Sequence, residues 1–155
     1  MNKLFLDLEE TLIDDIFACK PLEDNVERIR AFIASRQPDS IETFTWAFWE
    51  KADFVNWESI AAWFKVVFGR ELILQTFDVT KQRIEFLESI LGGHIRPGEE
   101  FDFAHLPNKE RVFEWFIRKN FSSGTFALID DTVTTKTITM NRGGLEIEIV
   151  NVVDV

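Results

Sequence analysis

The sequence predicts an α/β domain on a mostly parallel sheet, and three observations carry that prediction. Short apolar runs alternate with segments of helical periodicity. Two of the runs, residues 4–6 and 126–129, stop abruptly at aspartates. The length of 155 residues, with 46% hydrophobic and 28% charged side chains, suits one globular core, so the domain is expected to span 1–155.

Each element follows from its own pattern. Residues 4–6 read as a short buried strand with acids at its carboxyl end. A helix is expected over 22–36, where Leu22, Val26, Ile29 and Ile33 recur at helical spacing, Pro21 suits the first turn and Pro38 stops it. Residues 41–48 alternate Ile41, Thr43 and Thr45 against Phe44, Trp46 and Phe48, as in a second strand. Asn56 can cap a helix over 57–68 closed by Gly69, and 72–77 reads as a third strand. Thr80 caps a further helical pattern through Ile84, Leu87 and Leu91, ended by Gly92 and Gly93. Residues 93–107 show no period. Asn108 can cap a helix carrying Val112, Phe113, Phe116 and Ile117, which leads into the fourth strand at 126–129. The tail, 138–140 and 145–150 around a turn at 141–144, reads as a strand pair at the sheet edge, with Leu145, Ile147 and Ile149 on its buried face.

Composition narrows the function classes. Twenty-seven acids against seventeen Lys and Arg give a formal charge of −10, which argues against nonspecific nucleic-acid binding. The single cysteine, Cys19, excludes an intrachain disulfide and suits a reducing compartment. The apolar stretch before Asp7 is too short for a signal peptide, so a cytoplasmic protein without membrane association is expected. Sixteen Phe and five Trp coexist with no Tyr, which removes phenol chemistry.

In an open parallel sheet, ligands bind beyond the carboxyl ends of the strands. Asp7 with Glu9, and Asp130 with Asp131, follow two such ends and would meet if their strands were parallel neighbours. Carboxylates crowded together repel by several kcal/mol, a repulsion that a divalent cation relieves. Hard oxygen donors point to Mg2+.

The run 4–12, Leu-Phe-Leu-Asp-Leu-Glu-Glu-Thr-Leu, resembles the first motif of the haloacid dehalogenase-like superfamily, an apolar strand followed by Asp-x-Asp-x-Thr. The run 126–131, Phe-Ala-Leu-Ile-Asp-Asp, is similar to its fourth motif. The resemblance spans nearly the whole chain and implies a three-layer, Rossmann-like fold. It also implies phosphoryl transfer through an aspartyl-phosphate with one Mg2+. Asp7 matches the nucleophile and metal ligand. The backbone carbonyl of Glu9 and the Asp130 side chain would complete the protein ligands, with Asp131 binding through metal-bound waters. Thr11 matches the position that braces the loop. For the second motif, a hydroxyl donor to phosphate, Thr45 is the first choice and Thr43 the reserve; Ser35 would serve only if the first helix were a strand. For the third, a lysine that offsets phosphate charge, Lys109 is preferred and Lys81 the alternative.

The chain departs from the family at Glu9, where an Asp normally protonates the leaving group. One added methylene moves that carboxyl by about 1 Å, a misplacement that can cost roughly a hundredfold in rate. Slow or specialised turnover is therefore expected. The segments between motifs leave no room for a full cap domain, and an open site suits a large phosphorylated substrate. His94, Arg96 and His105 lie in the segment expected to overhang it. The alternative expectation is a non-catalytic module of the same fold that binds a protein partner. A weaker idea is that the −10 charge mimics nucleic acid.

Overall fold

The computed structural model describes residues 1–15, 17–45, 56–75 and 109–155. Among these, six strands form one sheet: β1 (Asn2–Leu6), β2 (Ser40–Thr43), β3 (Leu72–Ile73), β4 (Gly124–Asp130), β5 (Lys136–Met140) and β6 (Leu145–Asn151). Their order is β3-β2-β1-β4-β6-β5. The pairs β1–β2, β1–β4, β2–β3 and β4–β6 are parallel, and β5 runs antiparallel to β6. The tail is thus the expected edge hairpin, and its second strand also pairs with β4.

Three helices, α1 (Glu23–Arg36), α2 (Trp57–Phe68) and α3 (Lys109–Asn120), cover the sheet. Strand alternation decides which face each side chain serves. Leu4 and Leu6 of β1, Ile41 of β2, and Ala127 and Ile129 of β4 pack with Val26, Ile29, Phe32 and Ile33 of α1 and Trp57, Ile60 and Phe64 of α2. On the other face, Phe5, Phe126, Leu128, Leu145, Ile147 and Ile149 pack with Val112, Phe113, Phe116 and Ile117 of α3. The result is helix, sheet and helix in three layers. Each of these large apolar side chains contributes about 1.5–3 kcal/mol on full burial. None of the described helices is long and apolar enough to cross a membrane.

Several boundaries differ from the sequence expectation for local physical reasons. Pro21 precedes the first turn of α1: it forms a bridge with Ile13, and Leu22 occupies the N-cap. Strand β2 ends at Thr43, so Thr45 lies beyond it. Asn56 stands at the N-cap of α2 but makes no capping bond; its backbone, at φ −96° and ψ 12°, is outside the extended N-cap conformation, and its Nδ2 donates to the Phe17 carbonyl at 3.2 Å. Gly69 closes α2 as expected, with φ of 66°. Gly124 is required where β4 begins: a Cβ there would stand 2.8 Å from the Met1 carbonyl oxygen. The third strand beyond Gln75, the helical pattern after Thr80 and residues 93–107 fall outside the described residues.

Candidate active site

The register of β1 and β4 builds the site. Leu6 pairs with Ile129, so the next residues, Asp7 just past β1 and Asp130 at the end of β4, stand side by side at the carboxyl end of the sheet. The Asp7 amide extends the ladder by donating to the Ile129 carbonyl at 3.1 Å. Beyond Asp7 the chain turns tightly, with the Leu8 carbonyl accepting from the amides of Thr11, Leu12 and Ile13. Leu8 and Leu12 are fully buried and anchor the turn, while Glu10 takes a left-handed φ of 60°.

This turn carries the Thr11 hydroxyl back beneath the acids. Thr11 Oγ1 lies 3.1 Å from Asp7 Oδ2 and 3.2 Å from Asp131 Oδ1. One hydroxyl hydrogen serves only one of these oxygens at a time. The remaining contact sets oxygen against oxygen, which a proton or a cation would relieve.

Lys109, the first residue of α3, is buried at the same point. Its Nζ lies 2.8 Å from Asp7 Oδ1 and forms a second ion pair with Asp130 Oδ2. Asp130 Oδ1 is occupied by the Thr132 amide at 2.7 Å and the Thr132 hydroxyl at 2.6 Å. Asp130 Oδ2 is buried and, apart from the Lys109 ion pair, accepts no hydrogen bond. Burial, the largest effect, pushes the Asp7 carboxyl up from its usual 3.8 to about 7; Lys109 pulls it down, and Asp130 and Asp131 push it further up.

Asp7, Asp130 and Asp131 each offer a carboxylate oxygen, and these oxygens lie within 4.8 Å of one another. An all-oxygen donor set, three negative charges against one ammonium, and an acceptor lacking a hydrogen bond fit a hard divalent cation.

Phe44 places the second-motif candidate. Its amide donates to the Leu6 carbonyl at 2.8 Å, and its ring meets Phe113 of α3 edge-on at 5.2 Å. Thr45 follows and lines an open cleft of about 260 Å3 together with Asp7, Glu9, Lys109, Asp130 and Asp131. The predicted Asp7, Glu9, Thr45, Lys109, Asp130 and Asp131 are thus brought to one place. Thr43, the reserve, faces elsewhere: its hydroxyl accepts from the Gln75 amide at 2.9 Å and donates to the Gln75 carbonyl at 3.2 Å. Ser35 is exposed on α1. Lys81, His94, Arg96 and His105 lie outside the described residues.

The protein matches no family model, curated protein or solved structure. The site must therefore be read from its own geometry. Two further lining residues, Glu10 and Thr132, escape the sequence reading. Thr132 follows the acidic pair directly, at the spacing where a hydroxyl and an amide can both reach back to the first acid, and that spacing was the available signal.

Proposed function

We propose that this chain is a magnesium-dependent phosphohydrolase of the haloacid dehalogenase-like kind, acting through an aspartyl-phosphate on Asp7. The observation that carries the reading is the convergence of Asp7, Asp130 and Asp131 with Thr45 and Lys109 in one cleft beyond the carboxyl ends of β1 and β4. Asp7, Asp130 and Asp131 would hold Mg2+, which supplies charge neutralisation for the nucleophile and the phosphoryl oxygens.

The chain's own residues then have separable tasks. The Asp7 carboxylate attacks phosphorus, the ester P–O bond breaks, and Glu9 gives its proton to the departing oxygen. Water next attacks the phosphorus of the aspartyl-phosphate, losing a proton to Glu9. The bond to Asp7 breaks and inorganic phosphate leaves. Thr45 and Lys109 donate to the transferring oxygens. Thr11 fixes the Asp7 carboxylate, and Asp131 with it. The segments between the motifs, too short for a full cap domain, favour a large substrate, a phosphorylated protein or a nucleic-acid end, over a small metabolite that needs enclosure. A reducing cytoplasm suits the single cysteine, Cys19.

A second reading has one observation in its favour. The Lys109 ammonium already bridges Asp7 and Asp130, so the acidic cluster has a counter-charge of its own. With Glu9 in place of Asp, the same fold could serve as a non-catalytic protein-binding module. Hydrolysis of an aryl phosphate, with and without Mg2+, separates the two. We expect Mg2+-dependent turnover by the wild type and none by Asp7→Asn. Activity that survives Asp7→Asn refutes the aspartyl-phosphate, and an inactive wild type favours the binding module.

A further inference from the structure

We infer that Asn151 is a positioning residue for the acidic cluster: its carboxamide clamps the turn 131–133 to the end of β6 and so sets where the Asp130 and Asp131 carboxylates stand. The inference rests on the proposed function for the identity of the ion, but not for the clamp itself.

The parallel register of β4 and β6 places Asn151 directly beside Asp130. Asn151 Nδ2 donates to the Asp131 carbonyl at 3.1 Å and to the Val133 carbonyl at 2.9 Å. Its Oδ1 accepts from the Val153 amide at 3.1 Å. One side chain thereby joins the carbonyls of the turn after β4 to the backbone after β6. Within the turn, the Thr132 amide and hydroxyl both hold Asp130 Oδ1, which leaves Oδ2 directed at Lys109. The Asp131 side chain reaches Thr11 from the same turn. Displacing that turn would therefore move both acids relative to Asp7.

Asparagine is the side chain suited to this junction. It offers two donors and an acceptor at one reach. Aspartate would keep the acceptor for Val153 but set an oxygen against two carbonyl oxygens. Partners that hold metal ligands in place typically matter by about 10–100-fold in metal affinity.

The test compares the wild type, Asn151→Asp and Thr135→Ala. Thr135 Oγ1 accepts from the Asn151 amide at 2.9 Å, so its loss loosens the same strand end without touching the turn carbonyls. Mg2+ affinity is measured by calorimetry, and exchange of the Thr132 amide hydrogen is measured without metal. We expect Asn151→Asp to bind Mg2+ about 10–100-fold more weakly and to exchange the Thr132 amide faster, with Thr135→Ala keeping the wild-type affinity. Equal weakening in both variants, or wild-type affinity in Asn151→Asp, overturns the inference. Should Asn151→Asp fail to fold, Asn151→Ser takes its place, and an unchanged affinity there overturns the inference equally. A wild type that binds no Mg2+ sinks the phosphohydrolase reading instead; the clamp is then decided by Thr132 exchange, and unchanged protection refutes it.

Discussion

Replacing Lys109 with methionine removes the ammonium while nearly preserving the length and apolar bulk of the side chain, which isolates charge as the variable. The ammonium stands 2.8 Å from Asp7 Oδ1 and also pairs with Asp130, and all three groups are buried. At an effective dielectric of about 20, attraction at that separation is about 6 kcal/mol, partly offset by the cost of desolvating both partners. Removing one partner of a buried pair typically costs about 3–5 kcal/mol, because the abandoned carboxylate keeps its burial and loses its counter-charge. For a chain of this size that corresponds to a fall in melting temperature of roughly 6–20 °C. The assay is thermal unfolding of wild type and Lys109→Met in metal-free buffer at pH 8 and pH 5. At pH 8 the wild-type Asp7 lies above its pKa of about 7 and is paired with Lys109. Without Lys109, which holds that pKa down, Asp7 takes up a proton, so the loss at pH 8 includes that uptake, whereas at pH 5 Asp7 is protonated in both proteins and the loss shrinks. Millimolar Mg2+ should restore part of the stability at pH 8, since the cation replaces the missing charge. A loss below about 1 kcal/mol at pH 8, within the range of exposed ion pairs, would refute the burial argument.

Four other outcomes follow from the same geometry. The folded-state pKa of Asp7 is raised above its usual 3.8, so the stability this proton contributes is full below about pH 4 and lost as pH rises through 7; metal-free melts of Asp7→Asn should be flatter across that window than those of the wild type. Mg2+ binding displaces the same proton, so affinity measured by calorimetry should tighten from pH 6 to pH 8. Thr11→Val keeps the volume but removes a buried hydroxyl shared by Asp7 and Asp131, with an expected loss of about 1–3 kcal/mol in urea unfolding, and Thr11→Ser should recover most of it. Glu9→Asp shortens the proposed acid by one methylene and should raise kcat for an aryl phosphate by about 10–100-fold; no gain would show that side-chain length is not the limiting fault.

Much of the scaffold was legible in the sequence because its signals are local. The stripes of α1, α2 and α3 obey helical spacing, and the runs that became β1 and β4 break at acids that no continuing buried strand would tolerate. The alternation of strands with helices implied a mostly parallel sheet, whereas the adjacency of β1 and β4 that brings Asp7 and Asp130 together was only a condition in the sequence and is supplied by the register. Thr45 was harder: β2 ends at Thr43, one further bond from the Phe44 amide to Leu6 carries the chain on, and residues 46–48 of the expected strand lie outside the described residues, so strand periodicity alone did not place the Thr45 hydroxyl. Asn56 shows the same limit in another form, since a residue suited to capping stands at the N-cap with a backbone conformation that makes no capping bond. The partnership of β6 with β4 was not legible at all. The tail pattern specifies a hairpin, while the pairing of its second strand with β4 is a choice between separate strands that the tail pattern does not encode. The role inferred for Asn151 was hidden with it, although its run ends in a polar residue just as those of β1 and β4 do.

The central position of β1 has a consequence for how the protein acquires its native state. Its two neighbours are β2, close in sequence, and β4, separated from it by almost the whole length of the chain. Joining β1 to β4 closes a long loop before any contact repays the lost entropy, so this step is expected to limit the folding rate. During synthesis β1 waits with one hydrogen-bonding edge open, a state in which strands from other molecules can compete. Asp7 and Asp130 meet only in that same late step, so no intermediate lacking it possesses the acidic cluster. A divalent cation would accordingly recognise only the sheet in which β1 has met β4, and its binding would drive assembly forward by selecting molecules that have already joined the paired strands farthest apart in sequence.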